Sequence, residues 1–287
     1  MTKLPDIQET EPKIKLPIKQ VGVENVMVPF MLESKKGGIY NSLMANVSLR
    51  TSLEENIKGI SMSRLLLTLK QFLAIPIKHK IIREILLDLQ ENIESNNSFM
   101  RFDFMLPIDK HSPLTDNSFP IYYKCRFEGQ LVSDHENQER TFRFFQGVTI
   151  QYASYCPCSA ELCNDLKNKN SSGYPHAQRS YANILIETVE PNYIWLEDII
   201  KDIESAVPTL PYPIIKRIDE QEIARIAGEN PMFVEDAIRA ISEKLNERED
   251  IHDWLVKCTH EESIHTSEAI AINYKGIKNG LDYKYFL

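Results

Sequence analysis

The chain has 287 residues, 43% hydrophobic and 26% charged, with a net charge of −8. This is the composition of an ordinary globular protein, long enough for one large or two ordinary domains. The acidic balance excludes a nucleic acid held by bulk electrostatics, yet leaves room for a phosphorylated small molecule in a local basic pocket. No apolar run approaches the ~20 residues that cross a bilayer, so no membrane partner is expected. Five cysteines, three of them clustered, do not read as a secreted disulfide framework. Residues 1–20 mix both charges with three prolines, lack the apolar centre of a signal peptide and read as a loose arm. The expectation is a cytoplasmic protein with reduced thiols.

In chain order, Val21 to Leu32 has strand composition and Gly37-Gly38 supplies a turn. From Ile39 to Leu49, Leu43, Ala45, Val47 and Leu49 alternate with Met44, Asn46, Ser48 and Arg50, the pattern of a half-buried strand. Met62, Leu65, Leu69 and Phe72, then Ile82, Leu86, Leu89 and Ile93, recur at spacings of three and four and predict two helices parted by Pro76. Strand alternation returns at Met100, Phe102 and Phe104, and again at Tyr123, Cys125 and Phe127. The second half repeats the order. Thr141 to Tyr155 and Arg179 to Val189 read as strands, and Trp195 to Val207 as a helix. An irregular segment follows over residues 208–230. Asn230 and Pro231 then open a helix, and Ile251 to Thr259 and His265 to Tyr274 read as strands. This is ββααββ twice, with a boundary near residues 134–140. An arm (1–20) precedes a first module (21–133) and a second (140–287). Short connections imply antiparallel pairing, with each helix pair on one face of its sheet and edges that association into a larger barrel would cover.

The chemistry-bearing stretch runs from Ser154 to Tyr181. Cys156, Cys158 and Cys163 fall within eight residues, and His176 follows. Thiolate and imidazole are common transition-metal ligands, although a buried cysteine cluster is an equal reading of the stretch alone. Glu220 fits the acidic first turn of a short helix, and Glu235 a helix start where the dipole favours a carboxylate. Glu262 and His265, in E-S-I-H, could form an acid/base pair. Residues 260–265 resemble H-E-x-x-H only loosely, because the second histidine comes at i+5 on a strand and turn. A metalloprotease is rejected.

The ordered set SYCPCS, HAQRS, KRIDE, ENPMFVED and ESIH resembles the type I-B GTP cyclohydrolases, tunnelling-fold (T-fold) enzymes built from tandem ββααββ modules. The resemblance implies an α+β fold of antiparallel sheets that assemble into a multimeric barrel. It also implies a homo-oligomer, a tetramer, with sites near subunit interfaces. It implies one divalent metal, zinc, manganese or iron, on Cys156, His176 and Glu220. GTP would be the substrate, with Glu235 on its guanine and Glu262 and His265 moving protons beside Cys156. Arg179, Lys216 and Arg217 are candidates for the triphosphate. Two departures stand out: Ala160 replaces the usual Lys, and the stretch from Cys158 to His176 is longer. A non-catalytic or altered-product relative that binds a purine or pterin is the alternative. A T-fold nitrile reductase ranks lower, because its E-S-K-S-type nicotinamide motif is absent.

Overall fold

The computed structural model of the protein describes residue 8 and residues 10–133, 139–189 and 192–286. Part of the expected arm (1–7 and 9) and most of the expected boundary (134–138) lie outside the described residues. Eight strands are hydrogen-bonded side by side in chain order as one antiparallel sheet. They are β1 (Ile18–Glu33), β2 (Ile39–Leu53), β3 (Asn97–His111), β4 (Ser118–Ser133), β5 (Arg140–Tyr155), β6 (Ala177–Thr188), β7 (Ile251–His260) and β8 (Ala269–Tyr274). The helices are α1 (Met62–Lys70), α2 (His79–Ile93), α3 (Pro157–Asn168), α4 (Leu196–Ala206), α5 (Arg217–Glu229) and α6 (Val234–Asn246).

The expectation of tandem ββααββ T-fold modules, each with its own antiparallel sheet, is therefore corrected. The sheet is continuous, and the second half reads β5-α3-β6-α4-α5-α6-β7-β8. Helices α3 and α5 escape a periodicity reading because neither carries an apolar stripe. α3 buries only Cys163, and α5 only Asp219 and Ala227. Local chemistry starts them instead: Pro157 at the first position of α3, and Asp219 in the first turn of α5. Asn230 does not open the following helix. It closes α5, its Nδ2 donating to the Ile226 carbonyl at 2.7 Å, and α6 begins after Phe233.

Backbone contacts divide the chain into two compact units. The first comprises Met1–Met105 and Arg126–Gln146. Its core is an aromatic row in which Phe30 meets Phe104 at 5.0 Å, Phe104 meets Phe127 at 5.2 Å and Phe127 meets Phe144 at 5.6 Å between ring centroids. Ile82, Ile85, Leu86 and Leu89 of α2 are fully buried, each contributing about 1.5–3 kcal/mol by leaving water. Gly129 on β4 is what lets α2 lie so close, for a Cβ there would run into Ile82 and Leu86.

The second unit comprises Leu106–Cys125 and Gly147–Leu287. β6 and β7 pair in register through Ala182 and Cys258, Ile184 and Val256, and Ile186 and Trp254. α6 packs against β7 and β8 and buries Ala237, Ile238, Ile241 and Leu245. Asp219, fully buried, ties α5 to the β3–β4 loop. Its carboxylate accepts the N–H groups of Leu114 (3.0 Å), Thr115 (2.9 Å) and Lys216 (2.8 Å) and the Thr115 hydroxyl. Burial alone would raise this carboxyl's pKa. The donors from Thr115, Lys216 and Leu114 outweigh that and hold it far below the usual carboxylate range. Lys110 and Glu204 form a mostly enclosed ion pair at 2.6 Å, with the Tyr123 hydroxyl donating to the same carboxylate at 2.6 Å.

Two predictions follow from this packing. Gly129→Ala should lower the unfolding free energy in urea by about 1–3 kcal/mol, the cost of overfilling a packed interior; an unchanged midpoint would contradict the close approach of α2. The second concerns buried histidines. Burial lowers the pKa of His260 to about 4, Glu235 offsetting only part, and burial with Lys80 and Lys78 also lowers that of His79. The unfolded chain takes up these protons below about 6.5 whereas the native chain resists them, His260 until about 4. Stability should therefore fall as pH drops through that window. Thermal midpoints measured from pH 7 to 4 should decline, and His260→Gln should decline less steeply.

Candidate active site

β5 ends at Tyr155, and the chain turns into α3 at Cys156 and Pro157. Cys156 is the residue before the helix, and its Sγ accepts the Ser159 N–H at 3.5 Å. The Cys156 N–H donates to the His176 carbonyl at 3.3 Å, and the His176 N–H to Ser159 Oγ at 3.3 Å. These bonds seat Cys156 and His176 side by side where β5 ends and β6 begins. α3 and the turn after it project away as an excursion, closed by Gly173 packing against Leu166 and Cys163. Cys163, on α3, is thereby buried, while Cys158 is exposed. Cys125 and Cys258 are also buried. Desolvation raises both thiols, Cys258 to about 12, so neither is a thiolate at neutral pH.

Two further segments reach the same place. The Met232 N–H donates to the Tyr155 carbonyl at 3.1 Å, which draws the start of α6 and Glu235 towards Cys156. Beyond β7, the Glu261 N–H donates to the Arg179 carbonyl at 3.0 Å, and a turn with His265 N–H on the Glu262 carbonyl at 3.3 Å returns the chain. The result is a cavity of about 510 Å3 lined by Cys156, His176, Glu235, Glu262 and His265, with Leu162, Phe233 and Ile264 among its apolar walls. Five residues singled out in the sequence, drawn from four separate segments, converge there.

Under the cavity lies a polar row. Gln178 Oε1 is 3.0 Å from His176 Nδ1, and Gln178 Nε2 is 3.2 Å from Glu262 Oε1. His176 Nδ1 stands 3.8 Å from Glu262 Oε2, and His260 Nδ1 3.9 Å from Glu262 Oε1. Deeper still, the Tyr152 hydroxyl meets His260 Nε2 at 2.9 Å, and the Ser154 and Ser180 hydroxyls meet at 2.7 Å. Tyr152 stays protonated at every relevant pH, since burial raises its pKa strongly.

The structure does not bring Glu220, Arg179, Lys216 or Arg217 into this cavity. Arg179 alternates with the buried Gln178 and Ser180 and so faces the other way, exposed. Lys216, Arg217 and Glu220 stand exposed around the start of α5, where Asp219 takes the inward position. Among the described residues no three of His, Cys, Asp and Glu are grouped closely enough to hold a metal ion. The cavity lining includes the Cys156 thiol and the His176 imidazole, donor types that suit zinc or another borderline transition metal. Gln178 escaped the motif reading. The signal was present, because on a strand residue 178 shares a face with residue 176.

The chain matches the family model described as type I GTP cyclohydrolase folE2 over residues 4–271. It is 30% identical over 271 residues to the GTP cyclohydrolase FolE2 of Geobacter metallireducens, covering 94% of this chain and 97% of that one. It is equally identical over 266 residues to that of Syntrophus aciditrophicus, covering 93% and 97%. In fold it is similar to a uricase from Bacillus fastidious (TM-score 0.55, 8% identity, 89% of this chain and 92% of that one). A urate oxidase from Bacillus sp. TB-90 is similar too (TM-score 0.53, 6% identity, 90% and 99%). The single eight-stranded sheet is thus urate oxidase-like, and folE2 replaces the type I-B tunnelling-fold label of the sequence resemblance. The chain belongs to the type I GTP cyclohydrolase folE2 family.

Proposed function

We infer that the chain is a GTP cyclohydrolase I that hydrolyses GTP to 7,8-dihydroneopterin triphosphate and formate, the entry reaction of folate biosynthesis. Membership of the folE2 family over residues 4–271 supports the activity. The observation that supports the residue roles is the convergence of Cys156, His176, Glu235, Glu262 and His265 on one cavity. The reaction adds water to C8 of guanine, opens the imidazole ring, expels formate and recloses a pterin. It needs base recognition, activated water and proton transfer at a ring nitrogen.

Each need has a residue in the cavity. Glu235, at the first turn of α6 and open to solvent, can accept guanine N1–H and the exocyclic amine with its two oxygens, which selects guanine and orients C8. Glu262 and His265, joined through one turn, can hold and move the protons of ring opening and reclosure. Cys156 and His176 would hold a divalent ion, zinc, manganese or iron. Such an ion supplies the Lewis acidity that activates water at neutral pH. Glu220, Arg179, Lys216 and Arg217 lie outside the cavity and receive no role within it. We also read the enzyme as a homo-oligomer, a tetramer, because β1 and β8 end the sheet order and leave outer edges to be covered. Its expected site of action is the cytoplasm.

The test is GTP turnover by metal-free protein to which zinc, manganese or iron(II) is restored, following formate and the fluorescence of the oxidised pterin. Formate with a neopterin supports the full reaction; folded, metal-loaded protein that yields neither overturns it. Cys156→Ala should lose metal-dependent turnover while keeping its thermal midpoint, and full turnover would remove Cys156 from the metal pair. Glu235→Ala should lower kcat/KM for GTP by roughly ten- to a hundredfold, the loss of a charged hydrogen-bonded pair worth about 1.5–3 kcal/mol.

A further inference from the structure

Gln178 sits on β6 with only 7% of its surface exposed, between two side chains of the cavity. Its amide can be oriented by chemistry alone. A carboxylate is an acceptor, so the group facing Glu262 Oε1 at 3.2 Å must be the amide NH2. The amide oxygen is then the atom 3.0 Å from His176 Nδ1, and since it only accepts, Nδ1 must carry the proton. Glu262 cannot do this itself, because its nearer approach to Nδ1 is 3.8 Å, beyond hydrogen-bond length. We propose that Gln178 is a positioning residue. Its one amide fixes the proton of His176 on Nδ1, leaves Nε2 with its lone pair as the ring's donor atom, and ties that choice to the orientation of the Glu262 carboxylate.

The arrangement has a physical advantage over a direct carboxylate partner. A neutral amide specifies the tautomer without placing a second negative charge beside the imidazole. It also holds Glu262 by a donor instead of repelling it. The backbone supports the same geometry, for the Cys156 N–H and Ser159 Oγ bonds hold the main chain of His176 in place. That a ligating imidazole is set by the hydrogen bond at its other nitrogen is general metal-site physics. The metal part of the inference rests on the function proposed above; the tautomer part does not.

The experiment uses the full-length, metal-free protein with 15N-labelled histidine. Two-bond 1H–15N spectra are recorded at a pH where they show a neutral His176 ring, assigned by its loss in His176→Asn. Wild-type protein should give a pyrrole-type Nδ1 and a pyridine-type Nε2. Gln178→Leu should release the ring towards the Nε2–H tautomer. Gln178→Glu, which keeps an acceptor for Nδ1–H but loses the donor to Glu262, should keep the wild-type tautomer. The other histidine signals report whether each variant is folded. A protonated Nε2 in wild-type protein, or an unchanged ring in folded Gln178→Leu, overturns the proposal; should that variant not fold, the wild-type and Gln178→Glu spectra decide it. Zinc affinity by chelator competition should drop by about 10- to 100-fold in Gln178→Leu. Wild-type protein that binds no zinc while showing the Nδ1–H tautomer would defeat the metal reading and leave the positioning role intact.

Discussion

The site depends on a short piece of main-chain pairing at the ends of β5 and β6. With the Cys156 N–H on the His176 carbonyl and the His176 N–H on Ser159 Oγ, two residues twenty positions apart become neighbours. A long segment can therefore separate Cys156 and His176 in the chain without parting them in space. Closing a longer loop adds little entropy once its ends are pinned. The segment between them includes α3, which starts just after Cys156 and lines part of the cavity with Leu162. The sulfur that receives the Ser159 N–H is therefore also the atom that orients the excursion.

Beneath the cavity, burial and hydrogen bonding divide the labour between polar groups that look alike in sequence. His260 lies two residues from Glu262, yet it is buried against Tyr152 and kept neutral by desolvation, whereas His265 is exposed at the turn. Asp219 and Glu220 are adjacent acids with opposite fates. Asp219 is spent on four donors that join α5 to the β3–β4 loop, which leaves Glu220 on the solvent side of the same helix turn. A helix places consecutive residues about 100° apart, so one acid facing inward obliges the next to face elsewhere.

The likeness to urate oxidases at 6–8% identity separates scaffold from chemistry. A continuous antiparallel sheet with helices can carry unrelated reactions, because what acts is the set of side chains at a few strand and helix ends. Here the cavity is lined from the close of β5, the approach to β6, the first turn of α6 and the turn after β7. Each is an element terminus, where backbone groups are unspent and can be used to set side chains.

What this sequence determined by itself was everything carried by local repetition and by unusual residues. All eight strands and helices α1, α2, α4 and α6 could be read, because alternation and three-to-four spacing record which face is buried. The five cavity residues could be named because the ordered motifs that carry them resemble those of a known family. The continuity of the sheet was decided only by tertiary structure, since strand pairing across the middle of the chain leaves no mark on either strand's own pattern. Helix α3 left no trace for a related reason, since one buried cysteine gives no period to detect, and α5 showed only as the short helix whose acidic first turn holds Glu220. The exclusion of Glu220, Arg179, Lys216 and Arg217 from the cavity, and the admission of Gln178 beneath it, were likewise settled in three dimensions. Motif order says which residues occur, whereas the direction of a side chain is set by the register of a strand and the phase of a helix.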